Sequence, residues 1–284
     1  MAGEIERYHV QSRALGRDLP YLVYIPKGHA ATAAKLPVLY LLHGAGGDEN
    51  AWVEDGQILA TADKLIAEQA IPPTLIVMPG CRACWWIDGV KDKAETAFWT
   101  ELEPAVRSRF RTIEGRSGRL IAGLSAGGYG ALRYALKYPE RFAAAAVLSP
   151  AIYADVPPEN SSARRQSPFM GVSGFDTATW KTLNYPSLLP AYLAQPLRVP
   201  IYLVSGDHDD YGIAFETALA FKQIYARQPA LAELRVVDGG HSWAVWSNAI
   251  ANAMRYMYRF VPSSVIANAG TTPLAAGRTE NVPR

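Results

Sequence analysis

Cysteine is nearly absent. The 284 residues hold two, Cys81 and Cys84, too few for a disulfide scaffold. No second pair exists to complete the four ligands of a tetrahedral zinc site. A thioredoxin-like redox role calls for a C-x-x-C that opens a helix. This one follows an apolar run ending in Pro79-Gly80 and leads into Trp85-Trp86. It reads as two small residues in a loop, bridged or unbridged. Charge of one sign is lacking too. The 28 basic and 26 acidic side chains leave a formal net charge of +2, without the basic excess expected of a nucleic-acid-binding surface. No run approaches the roughly 18 uninterrupted apolar residues of a membrane helix. The start, Met1 to Arg7, lacks the basic-then-apolar pattern of a secretory leader. The expected compartment is therefore the cytoplasm, or the periplasm or exterior if the true start lies upstream. The 20 prolines and 23 glycines are scattered, with no collagen-like period or low-complexity block.

What remains is an ordinary globular composition, 49% apolar and 19% charged, on a chain long enough to bury a sizeable core. Short β-type runs alternate with stretches of helical period. Strands are predicted at Tyr21 to Pro26, Val38 to His43, Thr74 to Pro79, Arg119 to Leu124, Ala143 to Ser149, Ile201 to Ser205 and Glu233 to Val237. Several are continuous apolar runs, which suits parallel strands covered on both faces. Helices are predicted at about Gln57 to Gln69, Glu95 to Arg111, Ala126 to Tyr138, Ile213 to Arg227 and Trp243 to Phe260. Nothing helical separates Tyr8 to Ser12 from Tyr21 to Pro26, so that first pair should be antiparallel. The alternation predicts one α/β domain over residues 1–261, a doubly wound, mostly parallel sheet with helices on both faces. Residues 150–199 break the rhythm and read as a functional insertion over the sheet. Residues 262–284, rich in Ala, Gly, Thr, Asn and Pro, read as a disordered tail.

The sharpest motif is Gly123-Leu124-Ser125-Ala126-Gly127, between an apolar strand and a helical stretch. A G-x-S-x-G at that junction is a nucleophile elbow, which holds a serine on a tight turn above the sheet's carboxyl edge. The bare pattern arises by chance, in roughly one such chain in ten; its setting gives it meaning. A serine hydroxyl needs a base. Of five histidines, His9, His29 and His208 read as edge or loop residues and His43 as a structural hydrogen-bonding residue. His241, after Asp238-Gly239-Gly240, lies late in the chain at a strand's carboxyl end, where the order serine, acid, histidine requires the base. The orienting acid should follow the strand ending at Ser205. Asp209, fourth in Gly206-Asp207-His208-Asp209, is the first choice and Asp207 the second. Donors for the oxyanion are expected from the N–H groups of Ala126 and of Ala45, in His43-Gly44-Ala45-Gly46-Gly47. Glycines of this kind also cradle phosphate, but this loop has neither a P-loop Lys-Ser/Thr nor a G-x-G-x-x-G in the required setting.

These residues resemble the esterase D-like group of α/β-hydrolases, which includes feruloyl and acetyl-xylan esterases, S-formylglutathione hydrolases and mycolyltransferases. The likeness runs from about Arg13 to Phe260. It is carried by Leu36 to Gly47, Trp52, Val77-Met78-Pro79, Glu101 to Pro104, the elbow with Tyr129-Gly130-Ala131, Tyr138 to Phe142, Gly206 to Asp209, and Gly239-Gly240-His241 with Trp246. It implies the α/β-hydrolase fold and a triad of Ser125, Asp209 and His241. The implied activity is that of a cofactor- and metal-independent serine carboxylic ester hydrolase on small aryl, acetyl or sugar esters. Acyl transfer, thioester hydrolysis and a catalytically silent binding module of the same fold are the alternatives. The family's M-P-D-G loop reads Met78-Pro79-Gly80-Cys81 here, a departure beside the cleft. Trp52 and Trp85, next to the catalytic loops, are the expected substrate contacts. The insertion aromatics Tyr153, Phe169, Phe175, Trp180 and Tyr185 are expected mainly to pack the insertion onto the sheet. Arg82, Asp88, Arg164 and Arg165 have two readings, contacts to a charged substrate or solvated surface, and the second is the default expectation.

Overall fold

Residues 2–29, 34–90 and 92–262 are described by a computed structural model. The tail expected to be disordered lies, from residue 263 onward, outside the described residues. Strands β1 (Glu4–Ser12) and β2 (Arg17–Ile25) form the expected antiparallel pair, with Tyr8 opposite Tyr21. β2 then lies antiparallel to β4 (Leu75–Pro79). From there the sheet is parallel through β3 (Val38–Leu42), β5 (Arg119–Leu124), β6 (Ala144–Leu148), β9 (Ile201–Gly206) and β10 (Ala232–Val237). The spatial order is β1-β2-β4-β3-β5-β6-β9-β10. This is the α/β-hydrolase arrangement. The loops after β3, β5, β9 and β10 all leave from one edge of the sheet, where such sheets bind ligands.

The continuous apolar strands follow from burial on both sides. In β3, Val38, Tyr40 and Leu42 join one core and Leu39 and Leu41 the other, as the two-residue strand period requires. The first core is capped by helix α5 (Ala126–Lys137), which contributes Leu132, Tyr134 and Leu136. The second is covered by α2 (Ile58–Ala67) and α9 (Trp243–Tyr258), through Ile58, Leu65, Ile250 and Met254. The short α1 (Ala51–Glu54) precedes α2, and α8 (Ile213–Tyr225) links β9 to β10.

One predicted helix differs. Where a single helix over Glu95 to Arg111 was expected, α3 (Ala94–Ala97) widens into a π-helical turn (Phe98–Leu102) before α4 (Glu103–Arg109). Pro104 is the cause. It has no N–H to offer the carbonyl four residues back, and its ring crowds that turn. The Glu103 N–H bonds the Phe98 carbonyl five residues back instead, as in a π-bulge.

The insertion is ordered. It contains a two-residue hairpin, β7 (Met170–Gly171) with β8 (Gly174–Phe175), and helices α6 (Thr177–Leu183) and α7 (Tyr185–Ala194). Asp176 and Asn184 cap these helices by accepting backbone N–H bonds. Trp180 Nε1 and Asn184 Nδ2 both donate to the Tyr153 carbonyl, at 3.1 and 2.6 Å. Phe169 and Trp180 are fully buried and pack edge-on against Trp85. The insertion is thus pinned to the segment leaving β6. Among the described residues no helix is long and apolar enough to cross a membrane.

Candidate active site

Ser125 occupies the turn between β5 and α5 with φ 53° and ψ −117°. A non-glycine residue held there costs about 1–3 kcal/mol and persists only where its surroundings enforce it. The enforcement is visible. The Ser125 N–H donates to the Leu148 carbonyl at 2.9 Å, and its carbonyl accepts from Tyr129 and Ala151. The flanking glycines allow the turn to close. A Cβ on Gly123 would overlap the Gly127 backbone, and one on Gly127 would sit 2.5 Å from the carbonyl oxygens of Leu42 and His43.

His241 follows β10 on a turn that contains Gly239 at φ 132°. Its Nε2 lies 2.9 Å from Ser125 Oγ, and its Nδ1 lies 2.7 Å from Asp209 Oδ2. With Nδ1 protonated and donating to the carboxylate, Nε2 is left with a lone pair toward the serine hydroxyl. The Asp209 carboxyl is fully enclosed, and its other oxygen accepts the Tyr211 N–H at 3.0 Å. Tyr211 and Trp246 pack edge-on against the imidazole, and Trp246 is itself fixed by an indole N–H to Ser149 Oγ. Asp207, the second choice from sequence, turns away. It accepts the Gly239 N–H at 3.1 Å and pairs with His208 at 2.6 Å, tying the β9 loop to the β10 loop. Asp210 and Asp238 are exposed.

The loop after β3 arrives beside Ser125 because Gly44 has no side chain. A Cβ there would press on Leu124 at 2.7 Å and on Ser125 at 3.2 Å. Ala45 lines the cleft, and Ala126 is the first residue of α5, where an N–H has no partner inside its own helix. His43 is buried beneath this loop. Its Nδ1 donates to the Gly44 carbonyl at 2.7 Å, while its Nε2 accepts the Cys81 N–H at 3.1 Å. Trp86 donates its indole N–H to the His43 carbonyl. Burial pushes the His43 imidazole down to about 4, against a smaller upward pull from the Gly44 carbonyl, so the ring is neutral at physiological pH. Cys81 and Cys84 form a disulfide with Cα atoms 5.6 Å apart. Both are buried in the loop that carries Trp85 and Trp86.

Ser125 and His241 open onto a cleft of about 460 Å³, within the range of small-molecule sites. Its walls include Trp85, Tyr153, Trp243 and Trp246, with Asn160, Ser161, Ser162 and Arg165 from the insertion and Asp55 beyond α1. Trp85, expected from sequence to contact substrate, is among these wall residues, and Trp52, which carried the same expectation, is not. Trp52 is buried behind the wall, its indole N–H donating to the Leu42 carbonyl at 3.1 Å and its ring edge-on to Trp243. The end of β3 has a carbonyl to satisfy, and the indole on α1 turns inward to do so. It supports the cleft without lining it. Phe169, Trp180 and Tyr185 pack as anticipated, whereas Tyr153 reaches the cleft. Sequence reasoning passed over Tyr211, Trp243, Asn160 and Ser161 as cleft residues. Trp243 carried a signal, standing two residues after His241. Among the described residues, Asp207, His208 and Asp238 bring ligand atoms within 4.8 Å of one another. They are exposed, and contacts among surface side chains account for them.

Comparison with known proteins agrees with this architecture. Residues 12–257 match the model of a family described as "Putative esterase". An esterase of Mycobacterium tuberculosis is 35% identical over 144 residues, 49% of this chain and 30% of that protein's length. An acetyl esterase of Caldicellulosiruptor saccharolyticus is 27% identical over 231 residues, covering 78% of this chain and 83% of its own. A ferulic acid esterase of known structure superposes with a TM-score of 0.76 at 26% identity, over 91% of this chain and 99% of that one. The chain spans under a third of the mycobacterial relative.

Proposed function

Since the chain belongs to the esterase family whose model matches residues 12–257, we propose that it is a serine carboxylic ester hydrolase working through an acyl-enzyme on small aryl, acetyl or sugar esters. The observation that carries this reading is His241, hydrogen-bonded to Ser125 on one side and to enclosed Asp209 on the other. In the first half-reaction the Ser125 oxygen bonds to the ester carbonyl carbon as its proton passes to His241 Nε2. Asp209 holds the ring's orientation and stabilises its charged form. The N–H groups of Ala45 and Ala126 receive the developing oxyanion, a role supported by the close approach of the Gly44 loop to the elbow. The imidazolium returns the proton to the departing alcohol. Water, deprotonated by the same histidine, then releases the acid.

The substrate class is supported by the aromatic walls Trp85, Trp243 and Trp246 and by the neutral hydrogen-bonding rim Asn160 to Ser162. The names of the acetyl esterase and ferulic acid esterase relatives point the same way. Residues 1–261 are read as one hydrolase domain, with 150–199 forming one wall of its cleft. Ser125→Ala should abolish p-nitrophenyl acetate hydrolysis, by about 10⁴-fold or more, together with labelling by a fluorophosphonate probe. Retained activity in the pure, folded variant would refute Ser125 as nucleophile, and an unlabelled wild-type protein would favour a silent binding module.

A further inference from the structure

Two neighbouring arginines in the insertion are held in opposite ways. Arg164 is committed within the protein. Its Nε donates to the Pro157 carbonyl at 2.9 Å, its guanidinium pairs with Glu159 at 3.0 Å, and its plane lies 4.8 Å over the Phe175 ring. Arg165 lines the same cleft as Ser125 and His241 and is exposed. Among the described residues no hydrogen bond, ion pair or ring contact engages its side chain. Its backbone nevertheless has a firm mount. The 3₁₀ turn Ser162–Arg165 is capped by Ser161, whose hydroxyl accepts the Ala163 N–H at 3.3 Å, and Ala163 is fully buried. An arginine on a fixed turn at the edge of a cleft, with no protein anion assigned to its guanidinium, is suited to fork onto a carboxylate or phosphate.

Charge in the rest of the lining is sparse. Among the described residues that line the cleft, Asp55, on the loop that follows α1, is the other charged side chain apart from His241. An anion in the cleft is repelled by that aspartate and drawn to the insertion side. We propose that Arg165 is a specificity residue that recognises an anionic group carried by the ester away from its scissile carbonyl, so that the cleft discriminates between charged and neutral esters of the same shape. The inference rests on the esterase reading above, and its test separates the two.

The anion can belong to the acyl part or to the alcohol, and two substrate pairs tell these apart. Mono-4-nitrophenyl succinate against its methyl ester probes the acyl side. 4-Acetoxybenzoate against its methyl ester probes the leaving group. For one pair the wild-type protein should favour the carboxylate in kcat/KM. Arg165→Gln, a shorter side chain that keeps hydrogen-bonding capacity without charge, should lower that carboxylate-to-ester ratio by about tenfold. Arg165→Lys, a point charge without the planar fork, should fall between them. Added salt should compress the wild-type ratio more than the Gln variant's. A ratio that Arg165→Gln leaves unchanged for both pairs overturns the assignment while leaving the esterase intact. Failure of the wild-type protein to hydrolyse any of the four esters overturns both readings.

Discussion

His43 offers a quantitative test of how the glycine loop after β3 is held. The ring is buried, donates from Nδ1 to Gly44 and accepts from Cys81 at Nε2, and burial holds it near 4. An unfolded histidine titrates near 6.5. Between these values the unfolded chain binds a proton that the folded protein does not, so stability rises with pH through this window and is lost as pH falls. The slope is about 1.4 kcal/mol per pH unit, and the window as a whole amounts to about 3 kcal/mol, a large part of a typical domain's stability. Urea unfolding at about pH 7, 5.5 and 4.5, on wild type and His43→Gln, isolates the effect. Other groups that change on folding, such as His29, which burial lowers, are common to both proteins and cancel in the difference. The wild type should lose stability more steeply than the variant as pH falls toward 4. Parallel curves would contradict the argument. So would an NMR titration of the His43 ring with a midpoint near 6.5, a measurement that does not depend on the variant folding.

Other outcomes follow from the same geometry. Asp209→Asn should retain the fold but reduce kcat by roughly 10⁴-fold, since an amide no longer selects the imidazole tautomer that frees Nε2; an equal loss in Asp207→Asn would place the orienting acid elsewhere. Gly127→Ala sets a methyl group against the Leu42 and His43 carbonyls. It should cost about 1–3 kcal/mol and lower ester hydrolysis as well, because those carbonyls lead into the glycine loop beside Ser125. An unchanged urea midpoint would show that the β3 end can yield.

Much of the site was legible because its signals are local. Strand–Ser125–helix is a contiguous motif, and its glycines are required by backbone contacts within and beside the elbow. The alternation of buried strands and amphipathic helices follows from which side chains each face must hide, so the doubly wound sheet could be anticipated to within a residue or two at β5 and β6. The π-turn before Pro104 went unforeseen because it preserves the apolar pattern while changing the hydrogen-bond ladder.

The sequence by itself pointed to Ser125, an acid after β9 and His241 in that order, and to the strands that carry them, because motif and period act over a few residues. It ranked Asp209 ahead of Asp207 by motif position, without showing which of them meets His241. That depends on the parallel register of β9 with β10 and on Asp207 being drawn off to the Gly239 N–H. Nor did it separate Trp52 from Trp85, or Arg164 from Arg165. Like residues in like settings are told apart only by what the folded chain packs against them: the Leu42 carbonyl and Trp243 for Trp52, Tyr129, Phe169 and Trp180 for Trp85, Glu159 and Phe175 for Arg164, and the open cleft for Arg165.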